Sequence, residues 1–88
     1  MNIESKFECN EICIKKVKNY GILMPKECIG QVWCCIPVVE GMTLNVADHK
    51  GSIAGTYEIF YREVLPRHNV GVIRLPKEYM SCDVVLVR

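Results

Sequence analysis

Thiols are the most chemically versatile groups in this 88-residue chain, which carries six cysteines and two histidines. A thiolate can ligate zinc, attack an electrophile or join a second sulfur. The six are Cys9, Cys13, Cys28, Cys34, Cys35 and Cys82, and none forms Cys-x-x-Cys. Cys9 and Cys13 would share one face of a helix. The alternation Glu11-Ile-Cys-Ile-Lys15 is instead that of a strand, on which four residues span roughly 13 Å, too far to share a metal. Cys34 and Cys35 are adjacent, so on a strand they point to opposite faces. His49 and His68 stand alone in loop-like sequence. The cysteines therefore read as small buried hydrophobes. A structural disulfide is the alternative, favoured if the source is a hyperthermophile, and zinc comes after it. No cofactor or metal is expected.

Cations form the second group with chemical reach. Residues 14–26 hold Lys15, Lys16, Lys18 and Lys26 and no acid. Residues 61–77 hold Arg62, Arg67, Arg74 and Lys77 against the single acid Glu63, with His68 beside them. A net charge of +1 excludes a wholly basic, histone-like binder. Phosphate neutralisation needs clustered cations rather than a high total. The plainer reading is a solvated face. Lys15 and Lys16 point to opposite sides of a strand, and Arg74 alternates with Ile73 and Leu75. Enzyme signatures are missing: no Gly-x-Gly-x-x-Gly, P-loop, His-Glu-x-x-His or Gly-x-Ser-x-Gly occurs. The chain reads as a non-enzyme.

A single small core must position these groups. The chain is 50% hydrophobic and 24% charged, which are globular values. No apolar run nears the roughly 18 residues of a membrane span, and residues 1–11 carry no apolar block of a signal peptide. A cytoplasmic protein without a membrane partner is expected. Alternation and β-branching predict strands over 7–18, 22–24, 31–39, 42–47, 57–64, 70–75 and 83–88. Pro25 and Pro76 each begin a turn or single helical turn. Pro37 suggests an edge or a kink.

The chain also repeats itself. Ile-Leu-Met-Pro-Lys-Glu-Cys-Ile-Gly over 22–30 matches Ile-Arg-Leu-Pro-Lys-Glu-Tyr-Met-Ser over 73–81, an offset of 51. Upstream, Glu11-Ile12 matches Glu58-Ile59, Lys15 matches Arg62 and Val17 matches Val64, an offset of 47. The difference of four places an insertion in the loop-like Leu65-Pro-Arg-His-Asn-Val70. Half-unit one covers 8–47, a turn 48–52 and half-unit two 53–88, within one domain over 1–88.

The first copy, Ile14-Lys-Lys-Val-Lys-Asn-Tyr-Gly-Ile-Leu-Met-Pro25, resembles the N-terminal signature of the AbrB/SpoVT-type swapped-hairpin family. The second, Val70-Gly-Val-Ile-Arg-Leu-Pro-Lys-Glu-Tyr-Met80 with Val84-Val-Leu-Val87, is similar to its archaeal transposon-encoded branch. Both copies carry a glycine before the apolar step, Gly21 and Gly71, with one residue fewer before Pro25. The resemblance implies a mainly β protein whose two half-units close into one AbrB-like barrel as a pseudo-dimer, with one-turn helices after each Pro-Lys-Glu. It implies a DNA-binding transcription regulator touching duplex DNA through Lys15, Lys16, Lys18, Arg62, Arg67 and Arg74. If the copies are related by a two-fold axis, the two basic windows fall on corresponding sites. The alternative is a protein-interaction module, such as an antitoxin or mobile-element accessory factor. Its partner would be another protein, and a homodimer is also open.

Overall fold

The computed structural model describes residues 4–88. Its ten strands are β1 (Glu4–Glu8), β2 (Ile12–Lys16), β3 (Ile22–Met24), β4 (Val32–Pro37), β5 (Thr43–Ala47), β6 (Lys50–Ala54), β7 (Phe60–Glu63), β8 (Leu65–Arg67), β9 (Val70–Ile73) and β10 (Asp83–Val87). A one-turn 3₁₀ helix follows Pro25 and Pro76 and takes in the Lys-Glu after each, at Lys26–Cys28 and Lys77–Tyr79. The protein is mainly β, and every strand pairing is antiparallel.

Strand β10 explains the centre. Alternate residues of a strand face opposite sides. Val84 and Leu86 enter one apolar cluster with Trp33, Cys35, Val64 and Ile73. Val85 and Val87 enter another with Ile36 and Ile53. A strand covered on both faces needs an unbroken apolar run, and Val-Val-Leu-Val supplies it. The central sheet has the order β2-β10-β4-β7. Its first face packs on residues of β3 and β9, which belong to a sheet of order β3-β9-β8. Its second packs on Phe7, Leu44 and Ile53 of a sheet of order β1-β6-β5.

The pairings cross between the two matched segments. β2 of the first pairs β10 of the second, and β7 of the second pairs β4 of the first. The registers correspond at the sequence offsets. Lys15 faces Val84 while Arg62 faces Trp33, and Lys16 faces Asp83 while Glu63 faces Val32. Two pairs join matched residues to each other, Ile22 to Ile73 and Leu86 to Cys35. Beyond the ladders, Val17 N donates to Cys82 O at 3.0 Å and Val64 N to Gln31 O at 2.8 Å. The prolines before the two 3₁₀ helices have nearly the same conformation, φ −57°, ψ 148° and φ −55°, ψ 146°.

Several expectations need correction. The strands form three sheets, not a closed barrel, and β2 and β7 remain edges of the central one. The second apolar face of β10 and β4 is buried under the β1-β6-β5 sheet instead. Residues 7–18 are not one strand. The chain breaks after β1 because Asn10 N and Glu11 N both donate to Arg88 O, at 2.8 and 2.9 Å. Of residues 48–52, Asp48 and His49 form the turn of the β5–β6 hairpin and Lys50 to Ser52 begin β6. The insertion 65–70 is a hairpin of β8 and β9 about His68-Asn69. Gly21 and Gly71 do not correspond. Register about Ile22 and Ile73 places Gly71 opposite Met24 and matches Gly21 with Val72.

Candidate nucleic-acid interface

A hairpin tip and a helical turn build one groove. Lys18 and Gly21 close the tip with reciprocal bonds, Lys18 N to Gly21 O at 2.8 Å and Gly21 N to Lys18 O at 3.0 Å. Gly21 takes φ +107°, a conformation rarely open to residues with a Cβ. The opposite wall is Arg74 to Lys77, where the chain leaves β9 and Pro76 sets the entry to the 3₁₀ turn. Between them lies a 170 Å³ cleft, adjoined by a 260 Å³ hollow reaching Lys16 and Ser81. Lys16, Lys18, Arg74 and Lys77 line these two spaces, and among the described residues no Asp or Glu does. Lys16 lies 4.0 Å from Asp83, with both side chains more than half exposed. An exposed pair of that length holds its lysine weakly.

The six expected contact residues divide. Lys18 and Arg74 line the cleft, and Lys16 lines the hollow beside it. Lys15 and Arg62 do not join them, and their placement is the same in both segments. Lys15 Nζ donates to Leu23 O at 3.0 Å, and Arg62 Nε donates to Arg74 O at 3.3 Å. Arg62 also lies 5.0 Å from the Phe60 ring centroid. These two cations tie strands to neighbouring backbone. Arg67, half-buried on β8, sits 4.4 Å over the Tyr20 ring. That stack links the insertion hairpin to the tip of the first segment.

Lys77 is a groove cation outside the expected set. Its signal was the spacing Arg74-Leu-Pro-Lys77, which places two cations either side of a proline that turns the chain. The basic windows also do not supply two matched sites. The positions corresponding to Lys16, Lys18, Arg74 and Lys77 are Glu63, Leu65, Leu23 and Lys26. Cations from both windows meet in one groove, and its counterpart keeps only one.

Cysteine burial is less complete than expected. Cys35 alone is buried and the other five are half-buried, all as free thiols. Burial pushes the Cys35 thiol up to about 12, with the neighbouring Cys34 adding to it. Cys34 and Cys35 join the two opposite apolar clusters. Among the described residues, no three His, Cys, Asp or Glu side chains converge as metal ligands, and no helix is long and apolar enough to cross a membrane. Compared with family models, curated proteins and solved structures, the chain matches none.

Proposed function

We propose that the protein binds duplex DNA as a transcription regulator, through the groove between the Lys18–Gly21 tip and Arg74–Lys77. The observation that carries this reading is the meeting of Lys16, Lys18, Arg74 and Lys77 around two hollows without an acidic side chain. Phosphates are held by such clusters, because each neutralised phosphate releases condensed counterions. Arg74 adds a planar fork suited to a phosphate or a guanine edge. The AbrB-like side of the reading is supported by the crossed pairing, in which the first strand of each segment adds to the last strand of the other. One groove rather than two suits a non-palindromic contact. A salt-sensitive shift of duplex DNA on a native gel is the expected result; its absence at low ionic strength, with the protein folded, counts against the reading.

One observation favours the second reading, a protein-interaction module. Tyr61, on edge strand β7, is 69% exposed, and Val32 on the neighbouring strand is 55% exposed. An open edge with apolar side chains can accept an added strand.

A further inference from the structure

We propose that strand β7 is a dimer edge, at which a second copy of this chain pairs antiparallel with β7 and joins the two central sheets into one. The phase of the hydrogen bonds carries this. One step beyond the Val32–Glu63 pair, Val64 N donates to Gln31 O at 2.8 Å. Successive pairs of an antiparallel ladder alternate between those that exchange backbone bonds and those that do not. Arg62 and Phe60 therefore bond inward, to Trp33 and Cys35. Tyr61 and Glu63 turn their N–H and C=O groups away from β4. In agreement, Tyr61 O accepts a side-chain bond from Arg62 Nη1 at 3.3 Å. Among the described residues no other strand covers this edge.

One two-fold register suits the edge. Residues opposite each other in an antiparallel pair share a face, so the axis passes through a residue and not between two. An axis through Arg62 or Glu63 would set like charges opposite each other, which destabilises a sheet. An axis through Phe60, the first residue of β7, would pair the rest of the strand with residues outside it. An axis through Tyr61 remains. It pairs Tyr61 with the partner's Tyr61, which exchange two backbone bonds, and Phe60 with the partner's Arg62. The two exposed Tyr61 rings then form a cross-strand aromatic pair on one face. On the other face each Phe60 ring meets a guanidinium, an attractive pairing.

The matching strand β2 has the same phase, since Val17 N donates to Cys82 O one step beyond the Lys16–Asp83 pair. Its Ile14 and Lys16 point their backbone groups outward. That edge carries Lys15 and Lys16 and no acid, and lysines on an edge oppose strand addition. β7 carries one cation and one acid, Arg62 and Glu63. So short an edge buries less than the roughly 1,200 Å² of a standard interface, which makes the dimer weak and reversible. The dimer rests on the open edge of the protein-interaction reading, with a second copy as the partner.

The test follows the mass of the full chain by sedimentation velocity from micromolar to millimolar concentration. The mass should rise towards that of two copies and stop there. Tyr61→Pro removes the outward N–H and spares the bonds to β4, and proline is tolerated on such an edge; this variant should stay monomeric. Ile14→Pro, the matching change on β2, should still dimerise. Circular dichroism establishes that each variant is folded. Tyr61→Lys, which sets two cations on the axis, should lose the dimer as well and stands in if Tyr61→Pro does not fold. In amide exchange, the Tyr61 N–H should slow at least about tenfold from dilute to concentrated protein, while the Arg62 N–H, already bonded to β4, stays unchanged. A mass that remains at one copy with a fast Tyr61 amide overturns the dimer and leaves the edge open to another protein. A Tyr61 amide protected at every concentration overturns both. Growth beyond two copies, the mark of a head-to-tail contact, or a dimer undiminished in folded Tyr61→Pro also overturns the two-fold pairing.

Discussion

Gly21→Ala strikes where the first segment lies against the backbone of β9. An added Cβ would meet the carbonyl oxygen of Ile73 at 2.2 Å and its carbon at 3.2 Å. Both are backbone atoms of the paired strand β9, so no side-chain rotation relieves the overlap. Left-handed backbone costs a residue with a Cβ about 1–2 kcal/mol. Forcing the strands apart adds about 1–3 kcal/mol. The sum, about 2–5 kcal/mol, is large against the about 4–13 kcal/mol expected for a chain of this length. Gly30→Ala isolates the first part, because Gly30 has φ +92° and nothing within 4 Å of a built Cβ. Urea unfolding followed by the fluorescence of Trp33, buried at 3% exposure, gives both values. Gly21→Ala should lose more than Gly30→Ala by at least about 1 kcal/mol, with Tm falling by roughly 10–30 °C. Equal losses would mean that β3 does not meet the Ile73 backbone as described, and the crossed arrangement would need revision.

Two other outcomes follow from single positions. Ser81 takes φ +69° where the matching Gly30 takes +92°, so Ser81→Gly should relieve left-handed strain and stabilise by about 0.5 kcal/mol after the flexibility glycine adds to the unfolded chain; an unchanged or lower Tm contradicts this. Alkali should destabilise the fold. Burial raises Cys35 from 9.0 to about 12, and burial with the Glu58 carboxylate raises Tyr79 from 10.0 to about 12. Both groups hold their protons more tightly when folded. Their contribution is complete below the unfolded values and falls as pH rises from about 9 towards 12. A urea midpoint that stays flat or rises over that window speaks against burial of these groups.

Much of the β architecture was legible in local pattern. The apolar run Val84 to Val87 marked the strand β10, though not its burial on both faces, and Pro25 and Pro76 each marked a turn or helical turn. Contacts far apart in sequence were not legible. Nothing near Cys9 to Glu11 marks a break, since the bonds that impose it come from Arg88 at the other end. Pro66 suggested a loop, yet it lies on edge strand β8, where a missing N–H can face outward. The groove was half legible. Lys16 and Lys18 stood out as cations, but only the crossed pairing sets them beside Arg74 and Lys77. Lys15 and Arg62 looked equivalent to them in sequence, because a charge pattern does not reveal which cation a nearby carbonyl will hold.

Duplex-DNA affinity across a salt series decides most about what this protein does. Fluorescence anisotropy on a mixed-sequence duplex would compare the wild type with two variants. One replaces Lys16, Lys18, Arg74 and Lys77 with alanine, and the other replaces Lys15 and Arg62. Four phosphate contacts give a slope of log affinity against log salt of about −3.6, at about 0.9 for each. The groove variant should lose most of that slope, whereas the Lys15 and Arg62 variant should keep it and show its loss in stability. Absence of salt-dependent binding by folded wild type, or a slope unmoved in the groove variant, would contradict the assignment of this groove to DNA.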